Sequence, residues 1–544
     1  MVEQGSLMTA MHPLARPVDF ATKVTNNQLA LAISIALFAS AAWPIALTEI
    51  PPFQDLPNHL AAVTVITHPS SYPEFVFNGF LKTNSALFTW LYFVGKLTGL
   101  MLAARLFTLL VLALNALVFP WFVLHFTQDR RKLVVAGLLL WPMIHNWFVS
   151  MGMLDFALSV PLGLAMTVLL DAQARKPSLR RGLTIALLGV CTWYAHAFTV
   201  LVVHLLVAIH AATESTWRAR FRTLLLLCLP LLPATLLVLV AGYEHLTEPA
   251  AEMTGYLSRS QLQPAWELAY NMWAEWLWGF TWLSISSFVP CVVLGIYLVV
   301  NRHRDVPMFS KWALIALAAL YVFTPYVTTN WFYVNSRTIP FLWAAILLRV
   351  PDRMPRWLTG LLALSAGLYT VGMGIDYVRL DRDRAKFTAG LGAVPEGAKL
   401  LPLVFRQKLT SENTRSLLHA WGFYVIEKLT SAPLLFAHSR SFPVMYRVPP
   451  PPRFNHLVLE SFAPSMGTPE WLCTSMRKGG VVLRDCEETW RRQWEDFWSD
   501  ALPRFDHVLM WDSTPEARAL VPVAYRVAFH EDRLVIYARE TPSE

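Results

Sequence analysis

The sequence predicts an α-helical polytopic membrane protein: about eleven transmembrane helices, followed by a soluble α/β domain outside the membrane. Three observations predict it. Of 544 residues, 55% are hydrophobic and only 15% charged, with mean hydropathy +0.42, whereas a soluble chain carries about 25% charged residues. Apolar runs of membrane-spanning length recur up to about residue 380, and many of the 22 tryptophans sit at their ends, where interfacial belts favour them. From about 381, at Asp381-Arg382-Asp383-Arg384, charge density rises to that of a soluble domain.

Residues 1–27 are polar and end in a mildly basic stretch (Arg16, Lys23), which suits a cytoplasmic start. The run Leu29 to Leu47 carries an Ala39-Ser40-Ala41 resembling a signal cleavage site. It is longer than a signal h-region and continues past that point, so we read it as the first span. Five basic loops follow: Gln128 to Lys132, Arg175 to Arg181, Trp217 to Arg222, Asn301 to Arg304 and Asp352 to Arg356. The positive-inside rule places all five in the cytoplasm.

Parity then decides the next element. Two crossings between Asp55 and Arg130 would leave Arg130, Arg131 and Lys132 outside. One crossing, at about 103–126, puts them inside. Ser85 to about Leu100 is therefore read as an interfacial helix on the outer face, with Lys96 snorkelling. The first outer loop becomes about 48–102. Further spans fall at about 133–150, 152–171, 182–198, 199–213, 223–243, 284–300, 311–328, 335–350 and 357–377. A second outer loop, about 244–283, is acidic and aromatic, and its second half reads as an amphipathic helix.

The C-terminal domain, 381–544, is read as extracytoplasmic. Lys399 to Phe405 and His507 to Trp511 look like buried strands, Asn413 to Lys428 like a helix, and Tyr525 to Arg539 like a hairpin. An oxidising compartment would allow a disulfide between Cys473 and Cys486. The five cysteines show no metal-ligand spacing. The chain has no P-loop, GxGxxG nucleotide motif, HExxH or CxxC pair. Its net charge of +8 lies mostly in short loops between spans, so it does not point to nucleic acid.

Candidate chemistry centres on Asp55-Leu56-Pro57-Asn58-His59, in the polar insert after the first span. Asp is a good N-cap and proline fits a first helical turn, so Asp55 opens a short helix. His59 then lies one turn on, on the same face. Asp55 reads as a general base for an acceptor hydroxyl, or as a cap that only fixes the helix. Glu49, beside the first span, shares the insert. Lys82 reads as a phosphate-binding cation or a headgroup anchor. Arg337 opens a span on the side where the charge rule disfavours it, which suggests a clamp on phosphate or a partner for Asp55. Asp155 reads as a second acid or as a charge serving a helix dipole. His196 lies near the outer end of a span.

These features resemble the GT-C superfamily of integral membrane glycosyltransferases, in particular the bacterial protein mannosyltransferase and aminoarabinose transferase group. The matching pieces are Asp55 to Ala61, the Leu81-Lys82-Thr83-Asn84-Ser85 entry to the interfacial helix, and Ala104-Arg105-Leu106-Phe107 opening the next span. The resemblance covers about residues 28–380 in architecture and the first hundred residues in motif. It implies a bacterial inner-membrane enzyme that moves a sugar from a polyprenyl-phosphate donor to a hydroxyl on a glycan, lipid or protein, with inversion. Asp55 would be the base, and Lys82 and Arg337 would stabilise the leaving phosphate. The paired acids usual in the group are absent, since Leu56 follows Asp55. No cofactor is expected. Two other classes share the same polar residues: a flippase or exporter of lipid-linked glycans, and a non-catalytic scaffold. Transport would call for charges deep within spans and internal repeats, and neither is evident.

Overall fold

The computed structural model of the chain describes residues 25–246, 262–300, 306–328, 331–407 and 413–540. Among these, six helices are long and apolar enough to cross a membrane: Asn26–Leu47, Leu100–Thr127, Arg130–Met151, Leu154–Arg175, Trp217–Tyr243 and Arg356–Ala393. Leu179–Ala195, Ala197–Ala212, Phe288–Val300 and Lys311–Phe323 are shorter. The 335–350 stretch is a 3-10 turn followed by only 9 α-helical residues, Ile339–Leu347. Large apolar side chains point outward along two helices, among them Leu183, Leu187, Leu229 and Leu239. In lipid such a face needs no protein cover.

The stretch from Ser85 to about Leu100, read as interfacial, contains the helix Ala86–Thr98. Gly99, at φ +85°, ends it and separates it from Leu100–Thr127. Lys96 lays its ammonium 3.8 Å from the centre of the Tyr92 ring. In the second loop the amphipathic helix is Ala265–Ala274, while the first half of that loop, 247–261, lies outside the described residues. Residues 1–24, expected to be cytoplasmic, also lie outside them.

The last long helix, Arg356–Thr388, runs unbroken through the change of composition at 381. An i,i+3 pair between Asp381 and Arg384 (2.8 Å) sits in its final turns. The helix leads into a four-stranded mixed sheet. Leu400–Val404 pairs in parallel with His507–Trp511, which pairs antiparallel with Leu534–Arg539, itself antiparallel to Tyr525–Glu531. Leu400–Val404, at the sheet edge, and His507–Trp511 beside it are buried along their whole length and apolar apart from His507, as a sheet covered on both faces requires. Helices His456–Ser465, Pro469–Lys478 and Cys486–Ala501 complete the domain, and Cys473 is bonded to Cys486.

One expected element is shorter than the sequence suggests. Of Asn413 to Lys428, only Gly422–Lys428 is helical. The preceding residues spend their polar groups on other parts of the chain. Asn413 Nδ2 donates to the carbonyls of Ala274 (2.7 Å) and Trp278 (3.0 Å), and the Arg415 amide donates to Gln54 Oε1 (2.7 Å). These bonds hold the segment in turns.

The C-terminal domain sits directly on the first loop. Strands Phe75–Phe77 and Val444–Tyr446 pair across the two. The Asn58 side chain donates to the Leu434 carbonyl (3.0 Å) and accepts from the Phe436 amide (3.2 Å). Gly422 lies so close to Pro57 that a Cβ there would stand 2.5 Å from the Pro57 carbonyl oxygen. From beneath, the Asp55 amide donates to the Met151 carbonyl (2.9 Å). Gly152 follows at φ +83°, where a Cβ would meet the Asp55 and Leu56 amide nitrogens at 3.0 and 2.9 Å. Asp55 is thus clamped between the bundle and the C-terminal domain.

Two outcomes follow from this packing. Gly152→Ala is expected to lose about 1–3 kcal/mol, because left-handed backbone and steric overlap act together. Thermal unfolding of the purified protein against wild type checks this. Glu275, in the second loop, is buried beneath Tyr326, whose hydroxyl donates to it at 2.7 Å, and burial raises its pKa to about 7. A carboxyl that holds its proton more tightly when folded adds stability below its unfolded pKa, and that stability is lost as pH rises through the folded value. The melting temperature should therefore fall from about pH 4.5 to about pH 7, and Glu275→Gln should flatten that fall.

Candidate active site

Where the bundle meets the C-terminal domain there is a cavity of about 290 Å³. Asp55, His59, Asp155, His196 and Arg337, all singled out from the sequence, line it. They come from four separate places in the membrane part. The first loop brings Asp55 and His59, the start of Leu154–Arg175 brings Asp155, the junction of two short helices brings His196, and the 3-10 turn Asn335–Thr338 brings Arg337. Lys82 and Glu49 are not among the lining residues; Lys82 is partly exposed and Glu49 exposed. Thr83, next to Lys82, reaches the cavity in its place. Its hydroxyl bridges two strands of chain, donating to the Trp193 carbonyl (2.9 Å) and accepting from the Ala197 amide (2.8 Å).

Asp55 precedes the helix Leu56–Thr67 as expected, but its side chain makes no capping hydrogen bond. Its backbone is already α-like, at φ −90° and ψ −13°, whereas a capping residue normally has extended backbone. The carboxylate therefore turns away from the helix. Oδ1 accepts from Gln54 Nε2 (3.1 Å) and lies 3.3 Å from His419 Nε2. The residue is 8% exposed, so this carboxylate faces the cavity with few protein partners.

The imidazole in contact with Asp55 is that of His419, from the C-terminal domain. His419 is 1% exposed and lies between two carboxylates, with Glu460 Oε1 4.0 Å away. Burial pushes the Glu460 carboxyl above its usual range, against the pull of His419 and Arg415 beside it. His59, one turn beyond Asp55, is boxed by Phe88 (5.0 Å between ring centres) and Phe436 (6.0 Å). Burial lowers its pKa to about 4 despite the attraction of Asp55, so it is neutral near pH 7.

The other side of the cavity is more tightly bonded. The Asp155 carboxylate accepts from the Leu87 amide (2.8 Å), so it serves the N-terminus of the helix Ala86–Thr98 as well as opening its own helix. His196 caps the helix Ala197–Ala212 through Nδ1, which accepts from the Phe198 amide (3.2 Å). Arg337 donates to the Phe332 carbonyl (2.7 Å) and lies over the Phe156 ring at 5.8 Å. Its neighbour Tyr333 lines the cavity at φ +59°, a strained backbone for an aromatic residue and one that clusters at functional sites.

Arg415, His419, Glu460, His438 and His456 also line the cavity, and no pattern in the sequence points to them. They follow no spacing rule, and topology alone brings them to Asp55. Among the described residues, no group of three or more His, Cys, Asp or Glu side chains is placed to hold a metal ion.

The arrangement is that of a buried carboxylate with a free face, with two arginines and two further acidic side chains, Asp155 and Glu460, on the same cavity. It can accept a proton from a hydroxyl and hold an anionic leaving group. No protein-family model and no curated protein matches the chain. Solved structures resemble it, among them two of the same protein. The crystal structure of ArnT from Cupriavidus metallidurans in the apo state aligns over 94% of this chain and 97% of its own, at 12% identity and TM-score 0.50. ArnT from the same organism bound to undecaprenyl phosphate aligns over 94% of this chain and 98% of its own, at 13% identity and TM-score 0.47. At low sequence identity and over nearly its whole length, the chain thus shares the fold of ArnT, a GT-C membrane aminoarabinose transferase.

Proposed function

We propose that the protein is a membrane glycosyltransferase that moves a sugar from a polyprenyl-phosphate donor to a hydroxyl acceptor on the extracytoplasmic side. The observation that carries this reading is the Asp55 carboxylate, which is freed from capping its own helix and presented to the cavity. The fold shared with ArnT supports the same class.

The reaction needs three things. The acceptor hydroxyl attacks the anomeric carbon from the face opposite the phosphate, forming a new C–O bond as the bond to the phosphate oxygen breaks. The attacking oxygen gives its proton to Asp55. The electron pair leaves with the phosphate, and Arg337 and Arg415 supply positive charge to it in a water-poor cavity. Lys82, outside the lining, is left with headgroup anchoring. His419 acts through Asp55 as a positioning residue: its Nε2 fixes the carboxylate and leaves the second oxygen to face the acceptor.

A general base contributes about 10²–10⁴-fold, so Asp55→Asn should cut transfer of labelled sugar from polyprenyl-phosphate donors by at least about 100-fold without lowering thermal stability. Transfer that survives in a folded Asp55→Asn protein would remove Asp55 as the base. His419→Ala should lower kcat by less than Asp55→Asn does, and His419→Gln, which keeps a donor at that place, should recover part of the loss. The domain's orientation has its own check. If it faces an oxidising compartment, non-reducing peptide mapping of protein taken directly from alkylated membranes should find Cys473 linked to Cys486. Two alkylated thiols would put the domain on the other side.

A further inference from the structure

The cavity has two unlike ends. Around Asp55 lie the charged groups: Arg337, Arg415 and Glu460. From there an arm runs into the C-terminal domain along a succession of ring contacts. His419 meets Phe436 at 5.0 Å, Phe436 meets His456 at 5.3 Å, and His456 stacks on His438 at 4.9 Å. Phe442 stacks on Phe436 at 5.8 Å. Between these rings the lining is Ser439, Ser441, Asn455 and Ser461, with no lysine or arginine among the residues that build the arm.

We propose that this arm binds an uncharged carbohydrate as the acceptor and brings one of its hydroxyls to Asp55. The proposal rests on the transferase reading above. Flat aromatic rings interleaved with short hydroxyl and amide side chains match the alternating C–H and O–H faces of a sugar. His438 Nε2 and His456 Nδ1 are buried atoms with no hydrogen-bond partner among the described residues, and both side chains line the arm. Buried polar atoms are normally paired, so two unpaired ring nitrogens on one cavity wall point to a ligand that supplies their partners. Burial keeps both imidazoles neutral near pH 7, His438 at about 4 and His456 well below its usual value. A neutral imidazole can donate to or accept from a hydroxyl, whereas it offers no countercharge to a phosphate. An anionic acceptor would enter this arm uncompensated and approach Glu460.

The test uses the purified full-length protein in nanodiscs. Maltotriose and mannobiose are offered as acceptors with a panel of labelled polyprenyl-phosphate sugars, beside the 6-phosphates of the same sugars and a Ser/Thr-rich peptide. The neutral sugars should accept label and the phosphorylated ones should not. His456→Ala and Phe442→Ala should each raise acceptor KM about 10-fold, with a smaller change in donor KM, as loss of one buried contact predicts. Saturation-transfer NMR of maltotriose and mannobiose on the same nanodiscs, without donor, should show contact that is weakened in both variants. Transfer to phosphorylated sugars or to peptide alone overturns the carbohydrate assignment and leaves the transferase standing. Neither transfer nor hydrolysis of any donor by wild type overturns the transferase, and the acceptor site with it. Neutral-sugar transfer that both variants carry out with unchanged KM places the acceptor elsewhere.

Discussion

Everything in the cavity depends on where the backbone of Asp55 is held. A carboxylate just before a helix has an easy use, since the first amide groups of that helix lack partners. Here that use is denied. Hydrogen bonds from Gln54 and Asp55 to Ser150 and Met151 draw the chain into an α-like turn, and Gly152 allows the approach only because it lacks a side chain. With the capping geometry gone, the carboxylate turns into the space beneath the C-terminal domain. A residue that could have been purely structural becomes chemically available.

The same logic separates the other polar residues. Asp155 and His196 line the cavity, yet each has a backbone amide to satisfy, and both hold helix ends in place. They shape the site as members of its framework. The Asp55 carboxylate has only side-chain partners, Gln54 and His419, both of which can adjust as a proton arrives. The difference between framework and chemistry lies in which partner each carboxylate or imidazole has.

The helices of the apolar part were legible in the sequence as runs, but only six among the described residues, against about eleven expected spans, are long and apolar enough to cross a membrane. The helix at Ala86–Thr98 and the sheet strands at Leu400–Val404 and His507–Trp511 came from the same kind of pattern. Asp55 was legible as a candidate, but its rotation away from the helix was not, since that depends on Gly152 and Met151, far along the chain. His419 and Glu460 were illegible for a related reason. The segment around Asn413 to Trp421 has a helix-like composition, and its turns arise from bonds to Gln54, Ala274 and Trp278 that no local rule contains.

The Asn58 bond to Leu434 spans 376 residues of sequence. Ribosomes add about 5–20 residues each second, so the first loop enters its compartment on the order of half a minute before the segment that covers it exists. Throughout that interval the Asn58 side chain lacks Leu434 and Phe436, Gln54 Oε1 lacks the Arg415 amide, and the Asp55 carboxylate lacks His419. A chain cut short before its last quarter would carry Asp55 without the segment that covers it. The cavity is therefore completed late in biosynthesis, and a half-made chain left in the membrane would hold Asp55 in an unfinished site.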